Sequence, residues 1–273
     1  MKRVAVLAIG ALVALGLMPA TAGAGGTASG TAMVSIAHAA TFGFPEGDSG
    51  SDYPVYICVD GGDVFEGEAV LGDVLGPFEL PAGTYDVAVY PFADSCESKT
   101  IIADEITVAA GDDVTVAAIW PGTGPQLVEW PNDNSCYDEA TSARLTVRHG
   151  ADTGGPVDVV GFVDGSETRS TIISNLPEGG QKTVDLPGGT LAEFVSVVPA
   201  GGNTVFVQVP SLLFDAGEQV VVYAAGGNDG AVGVFVDVIP MDPCEVPADP
   251  TTTTTTAAAP AAAAVTAAPK FTG

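Results

Sequence analysis

One phrase occurs twice in this chain. Leu80 to Pro91 reads LPAGTYDVAVYP, and Leu186 to Pro199 reads LPGGTLAEFVSVVP. Three further pairs flank them in the same order. VSIAHA (Val34 to Ala39) corresponds to LTVRHGA (Leu145 to Ala151). PVYICVDG (Pro54 to Gly61) corresponds to PVDVVGFVDG (Pro156 to Gly165). AAGDDVTVAA (Ala109 to Ala118) corresponds to DAGEQVVVYAA (Asp215 to Ala225). The interval from Leu80 to Gly111 equals that from Leu186 to Gly217. Order and spacing together require two copies of one module, placed at residues 31–120 and 143–240. A module of roughly 100 residues can form its own core. Its period is too long for a solenoid, whose repeats span roughly 20–50 residues.

Inside each copy the hydrophobic period is two. In GTYDVAVYPF, Tyr85, Val87 and Val89 share one face, and Asp86, Ala88 and Tyr90 share the other. DDVTVAAIW sets Val114, Val116 and Ala118 against Thr115, Ala117 and Ile119. Such alternation between turn signals predicts strands. AAGGNDGAVG between EQVVVY and VGVFVDVI predicts a hairpin, because Gly and Asn tolerate positive φ. Module two carries seven or eight such runs and no convincing helix. The expected fold class is all-β, with two tandem antiparallel β-sandwiches of immunoglobulin-like or transthyretin-like Greek-key type.

The flanking segments set the compartment. Lys2 and Arg3 precede the apolar run Val4 to Met18, and PATAGAGG then offers small residues for cleavage. These are the parts of a secretory signal peptide, assigned to residues 1–24. No transmembrane segment is expected after its removal, so the mature chain is expected to be secreted or held at the cell surface. Four cysteines in an exported chain imply two disulfides, and three pairings are open. Position favours Cys58 with Cys96 and Cys136 with Cys244. No Cys-x-x-Cys spacing points to zinc. Residues 121–142, rich in Pro, Gly and Asn, are read as a linker. Residues 247–273 form a Thr/Ala/Pro tail without apolar period, read as disordered. Its last residues, APKFTG, are only distantly like a Leu-Pro-x-Thr-Gly wall-sorting signal.

The net charge of -26 repels phosphate backbones and disfavours nucleic acid as a partner. A cell-envelope or extracellular component suits the chain better.

Two stretches, RHGADTGGPVDVVGFVDG and LPAGTYDVAVYP, together resemble the bacterial secreted family named domain of unknown function 4397. A first strand ending in His, a proline-led VDG strand and a PAGTY phrase carry the resemblance through both modules. It implies an exported β-sandwich of cell surfaces, without an assigned activity. Module one departs from the pattern through the insertion ATFGFPEGDSGSDY between His38 and Pro54.

Candidate chemistry is sparse. His38 and His149, the only histidines, fall at equivalent positions. Each is suited to titration, metal binding or proton transfer, or to a structural hydrogen bond under a neighbouring loop, and the structural role is favoured. No Gly-x-Ser-x-Gly elbow or His-Glu-x-x-His motif is present, so no catalytic residue is assigned. Asp48 and Asp52 on one loop, with Asp133 and Asp138 on another, could supply oxygens to Ca²⁺, the one cofactor considered. Solvated turns explain the same residues. Trp120, Trp130, Tyr53 and Tyr137 suit either a sugar-stacking platform or a seam between modules. The expected function is therefore non-enzymatic, in structure, adhesion or ligand binding at the cell surface. The alternatives are a carbohydrate- or calcium-binding module and, less favoured, an extracellular hydrolase.

Overall fold

The computed structural model describes residues 30–41, 54–63, 69–91, 96, 100–137, 142–227, 232–241 and 244. The signal peptide and tail assignments, and Asp48, Asp52, Tyr53 and Asp138, lie outside them.

The fold is all-β. Module one contains β1 (Thr31–His38), β2 (Ala40–Thr41), β3 (Val55–Val59), β4 (Gly62–Asp63), β5 (Val74–Pro81), β6 (Gly83–Pro91), β7 (Ile102–Val108), β8 (Asp113–Ile119) and β9 (Gln126–Pro131). Module two contains β10 (Ser142–His149), β11 (Val157–Val163), β12 (Ser170–Leu176), β13 (Gln181–Pro187), β14 (Thr190–Pro199), β15 (Val207–Phe214), β16 (Glu218–Gly227) and β17 (Val232–Pro240). Module one pairs its strands in the orders β5-β1-β8-β9 and β4-β3-β6-β7. Module two repeats both, as β13-β10-β16-β17 and β12-β11-β14-β15. The duplication seen in the phrases is thus a duplication of topology.

The strand order refines two expectations. In each module the first strand pairs in parallel with the penultimate one, β1 with β8 and β10 with β16, so these sheets are mixed. An immunoglobulin sandwich instead pairs its first strand with its second, so these β-sandwiches depart from that order. The linker assignment also changes. β9, within residues 121–142, pairs along β8 and is the counterpart of β17, so module one extends to Pro131. Proline and glycine mark the β8–β9 turn there and not a connection between bodies.

Burial explains the layers. Val34, Ile36, Val114 and Val116 join Val55, Ile57, Val87 and Val89 in the core of module one. Leu145, Val147, Val220 and Val222 join Val157, Val159, Val195 and Val197 in that of module two. Each core holds an apolar cavity of only about 10 Å³, no more than one water would need. The opposite faces of the two mixed sheets meet in a third cluster, which includes Ala37, Ala117, Ile119, Trp130, Val221 and Tyr223. Four sheets therefore stack face to face, with the mixed sheets inside. This is why β8, β10 and β16 are buried almost end to end.

At one end the backbones themselves join. The module-one insertion opens with β2, which pairs in parallel with β16 of module two at Gly226 and Gly227. A Cβ at Gly227 would stand 1.8 Å from the Thr41 carbonyl oxygen. Only glycine permits that approach. The repeated VDG phrases form equivalent turns, with Asp60 and Asp164 both at φ 51°. Each aspartate accepts a backbone N–H from the neighbouring strand, Asp86 at 2.9 Å and Leu191 at 3.2 Å. The two disulfides are Cys58–Cys96 and Cys136–Cys244. They fit an oxidising compartment. Among the described residues no helix is long and apolar enough to cross a membrane.

Candidate functional site

The repeated histidines occupy the same structural place. His38 lies beside Ala118 and His149 beside Ala224 in the parallel pairs. His38 donates its backbone N–H to Asp73 O (3.0 Å), and its carbonyl accepts from Gly72 N (2.9 Å). His149 donates to Gly180 O (2.9 Å) and accepts from Gly179 N (2.7 Å). Both side chains are buried, at 1% and 0% exposure, so neither reaches solvent to meet a substrate.

The ring of His149 sits between two hydrogen-bond partners. Nδ1 is 3.2 Å from Leu176 O, and Nε2 is 3.0 Å from Thr153 Oγ1. Burial lowers the His149 pKa and outweighs the raising effects of the Leu176 carbonyl and Glu178. In the neutral ring Nδ1–H donates to Leu176 O, and the Thr153 hydroxyl is shared between Nε2 and Gly155 O (2.7 Å). Glu178 completes this corner. Its carboxylate accepts backbone N–H bonds from Gly122 (3.1 Å), Thr153 (3.1 Å) and Gly155 (3.0 Å). Burial raises its pKa, but these three donors and His149 together bring it below the ordinary value. The Gly122 bond ties the β8–β9 turn to module two.

A buried polar cluster lies in the seam. β10 alternates, with Leu145 and Val147 toward its own core and Arg144, Thr146 and Arg148 toward module one. Arg148 is 2% exposed. It donates to Tyr223 OH (2.6 Å), Thr115 Oγ1 (2.9 Å), Gln181 Oε1 (3.2 Å) and Asn132 Oδ1. Its guanidinium also lies 5.4 Å from the Trp130 ring and 5.2 Å from the Tyr223 ring. Trp130 donates Nε1–H to Gly179 O (2.8 Å), and Tyr223 stacks on Phe235 at 4.3 Å. A buried cation is thus held by neutral oxygens and ring faces. Burial lowers the Arg148 pKa and raises that of Tyr223.

The other sequence candidates divide. Trp130 serves the seam and is not an exposed platform. Trp120 is half-buried against the module-one core and bridges to Ala151. The Tyr137 carbonyl accepts from Cys244 N at 3.2 Å, beside the second disulfide. Asp133 faces Arg144 at 3.1 Å, and Asp185 holds the same guanidinium at 2.8 Å. Burial raises the Asp133 pKa, but Ser135 hydrogen bonds and Arg144 bring it below its ordinary value. Among the described residues no three His, Cys, Asp or Glu converge to hold a metal ion. Sequence reasoning missed Arg144, Arg148 and Glu178. A signal for the arginines was present, since two of only 8 basic residues sit four apart on one face of an apolar strand.

Two like-folded sandwiches joined through a buried seam define a tandem β-sandwich protein. Residues 50–160 match the family described as Domain of unknown function (DUF4397). The match runs from the module-one insertion into β11 of module two. No curated protein matches the chain.

Proposed function

We propose that this chain is an exported, non-enzymatic protein of the cell surface, serving structure, adhesion or ligand binding, and that both modules are copies of the matched family's domain. One observation carries the reading: the residues best suited to chemistry face inward. Both histidines and Arg148 are enclosed by the fold, and Arg148 couples one sandwich to the other. Enclosed polar groups of this kind fix a rigid body and give it a defined outer surface. The N-terminal signal, the disulfides and the acidic charge support export and argue against nucleic acid as partner. The partner in this reading is a cell-envelope or extracellular component.

The experiment is retention of the exported protein on envelopes of its own source, with calcium and with chelator. Saturable retention is the expected result, and its loss on chelation would assign the acidic loops a role. Absence of retention, with saturable turnover of ester or glycoside substrates, would replace this reading with the hydrolase alternative.

A further inference from the structure

The outer sheet of module two carries a feature that module one lacks. Counted from the shared VDG turn, Phe162 occupies the place of Cys58. In module one Cys58 is buried and bonded to Cys96, in the loop between β6 and β7. In module two the corresponding loop, between β14 and β15, contributes Val205. The corner there is an open hollow of about 260 Å³, lined by Phe162, Arg169, Phe194, Ser196, Val205 and Gln208.

Three properties of the hollow point to a ligand. The Phe162 and Phe194 rings meet edge to face at 6.3 Å, and Phe194 is 51% exposed. Phe194 sits at φ 51°, where a bulky residue is rare. It marks a bulge at which β14 gains a residue against β11. Folding would favour glycine at this position, yet a large ring stands there facing solvent. Finally, Arg169 is half-buried, and among the described residues it makes no hydrogen bond or ion pair. The other two arginines of module two are both enclosed in the seam.

We propose that this hollow binds a pyranose carrying a single carboxylate, at the end of a surface glycan. The proposal rests on the cell-surface reading above and names its ligand class. The exposed aromatic face stacks against the C–H face of a sugar ring, as amphipathic rings do with apolar surfaces. The Arg169 guanidinium presents a planar fork to the carboxylate. Gln208, exposed at the rim, offers an amide to the ring hydroxyls, and Ser196 Oγ supports the floor by donating to Phe194 O at 2.9 Å. The net charge of -26 selects a singly charged terminal sugar over the interior of a polyanion, which would be repelled along its length.

The test titrates the full exported protein with methyl β-D-glucuronide, methyl β-D-glucoside and benzoate, read by NMR shifts. Saturable glucuronide binding is expected, with the neutral glucoside weaker. Arg169→Gln should weaken the glucuronide by roughly tenfold and leave the glucoside unchanged. Phe194→Gly should weaken both sugars. It relieves the positive φ, so its thermal midpoint should stay level or rise, and lost binding will not reflect misfolding. No saturable glucuronide binding to the wild type would overturn the proposal, as would equal affinity in Arg169→Gln or binding of benzoate alone. Envelope retention that survives both substitutions would also overturn this site while leaving the cell-surface reading standing.

Discussion

β1 and β10 are counterparts that keep the same character on one face and differ in character on the other. Toward their cores they present Ala32, Val34, Ile36 and His38 in one module and Ala143, Leu145, Val147 and His149 in the other. Toward the seam β1 presents Met33, Ser35 and Ala37, whereas β10 presents Arg144, Thr146 and Arg148. Each core face answers to its own sandwich, so it stayed alike. The seam faces answer to each other and cannot be identical. Two arginine rows facing across a dry layer would bury like charges without compensation. Arg148 of β10 reaches into this layer for partners on β8 (Thr115), after β9 (Asn132) and on β16 (Tyr223), which couples the two modules.

The strongest way to break this pair is Arg148→Ala. It empties the space between Trp130 and Tyr223 and removes the donor to Tyr223 OH, while Thr115 and Asn132 keep their bond to each other. The expected loss is about 3–5 kcal/mol in denaturant unfolding. A single transition should separate into two as the modules uncouple. Arg148→Met, which restores bulk without the donors, should recover part of the loss. Full recovery would show that the seam needs volume and not hydrogen bonds.

Gly227→Ala attacks the seam from its backbone end. The added Cβ meets the Thr41 carbonyl, and β2 must leave β16. The cost should be about 1–3 kcal/mol, with hydrogen exchange quickening at Ala40 and Thr41 while the cores remain protected. Unchanged exchange at these amides would mean that the insertion is held by other contacts.

Much of this arrangement was legible in the sequence, and the limit has a physical cause. The period of two and the repeated phrases state which residues face which core, because those faces are set within one module. The alternation in DVTVAAI gave the strand, and the structure shows that it is covered on both sides. What covers the second face depends on the other copy, and a single strand does not record it. Trp130 is the clearest case. Its neighbours Pro131 and Asn132 read as linker, yet it closes the seam because β9 completes a sheet. The hollow was hidden for a related reason. It forms where Phe162 and Phe194 meet across a bulge, and bulges leave no fixed signature in spacing.

Acid should reveal the corner that ties the β8–β9 turn to module two. Burial sets the folded His149 pKa below its ordinary 6.5. The unfolded chain then binds the proton first, so stability is full above about pH 6.5 and declines as pH falls below it. The folded Glu178 pKa lies below 4.5, so its contribution is present above that value and is lost as pH falls through the folded pKa. Urea midpoints across this range should decline in two stages. Glu178→Gln should cost about 1 kcal/mol at pH 7 and remove its part of the lower stage. An upper stage that is absent would show that His149 takes up its proton as readily in the folded protein as in the unfolded chain.

The smallest effect belongs to Asp133. Its carboxylate is partly exposed, and Arg144 keeps Asp185 and Ser135 as partners when Asp133 is neutralised. Asp133→Asn retains a side-chain oxygen for Ser135, so the change should fall within about 1 kcal/mol, far below that at Arg148. The contrast separates a cation at the margin of the seam from one at its centre. It also tests the calcium reading, since Arg144 and a divalent cation compete for the same oxygen. A wild-type midpoint that rises with calcium and loses that rise in Asp133→Asn would give this carboxylate to a metal site. An equal response in both proteins leaves it with Arg144.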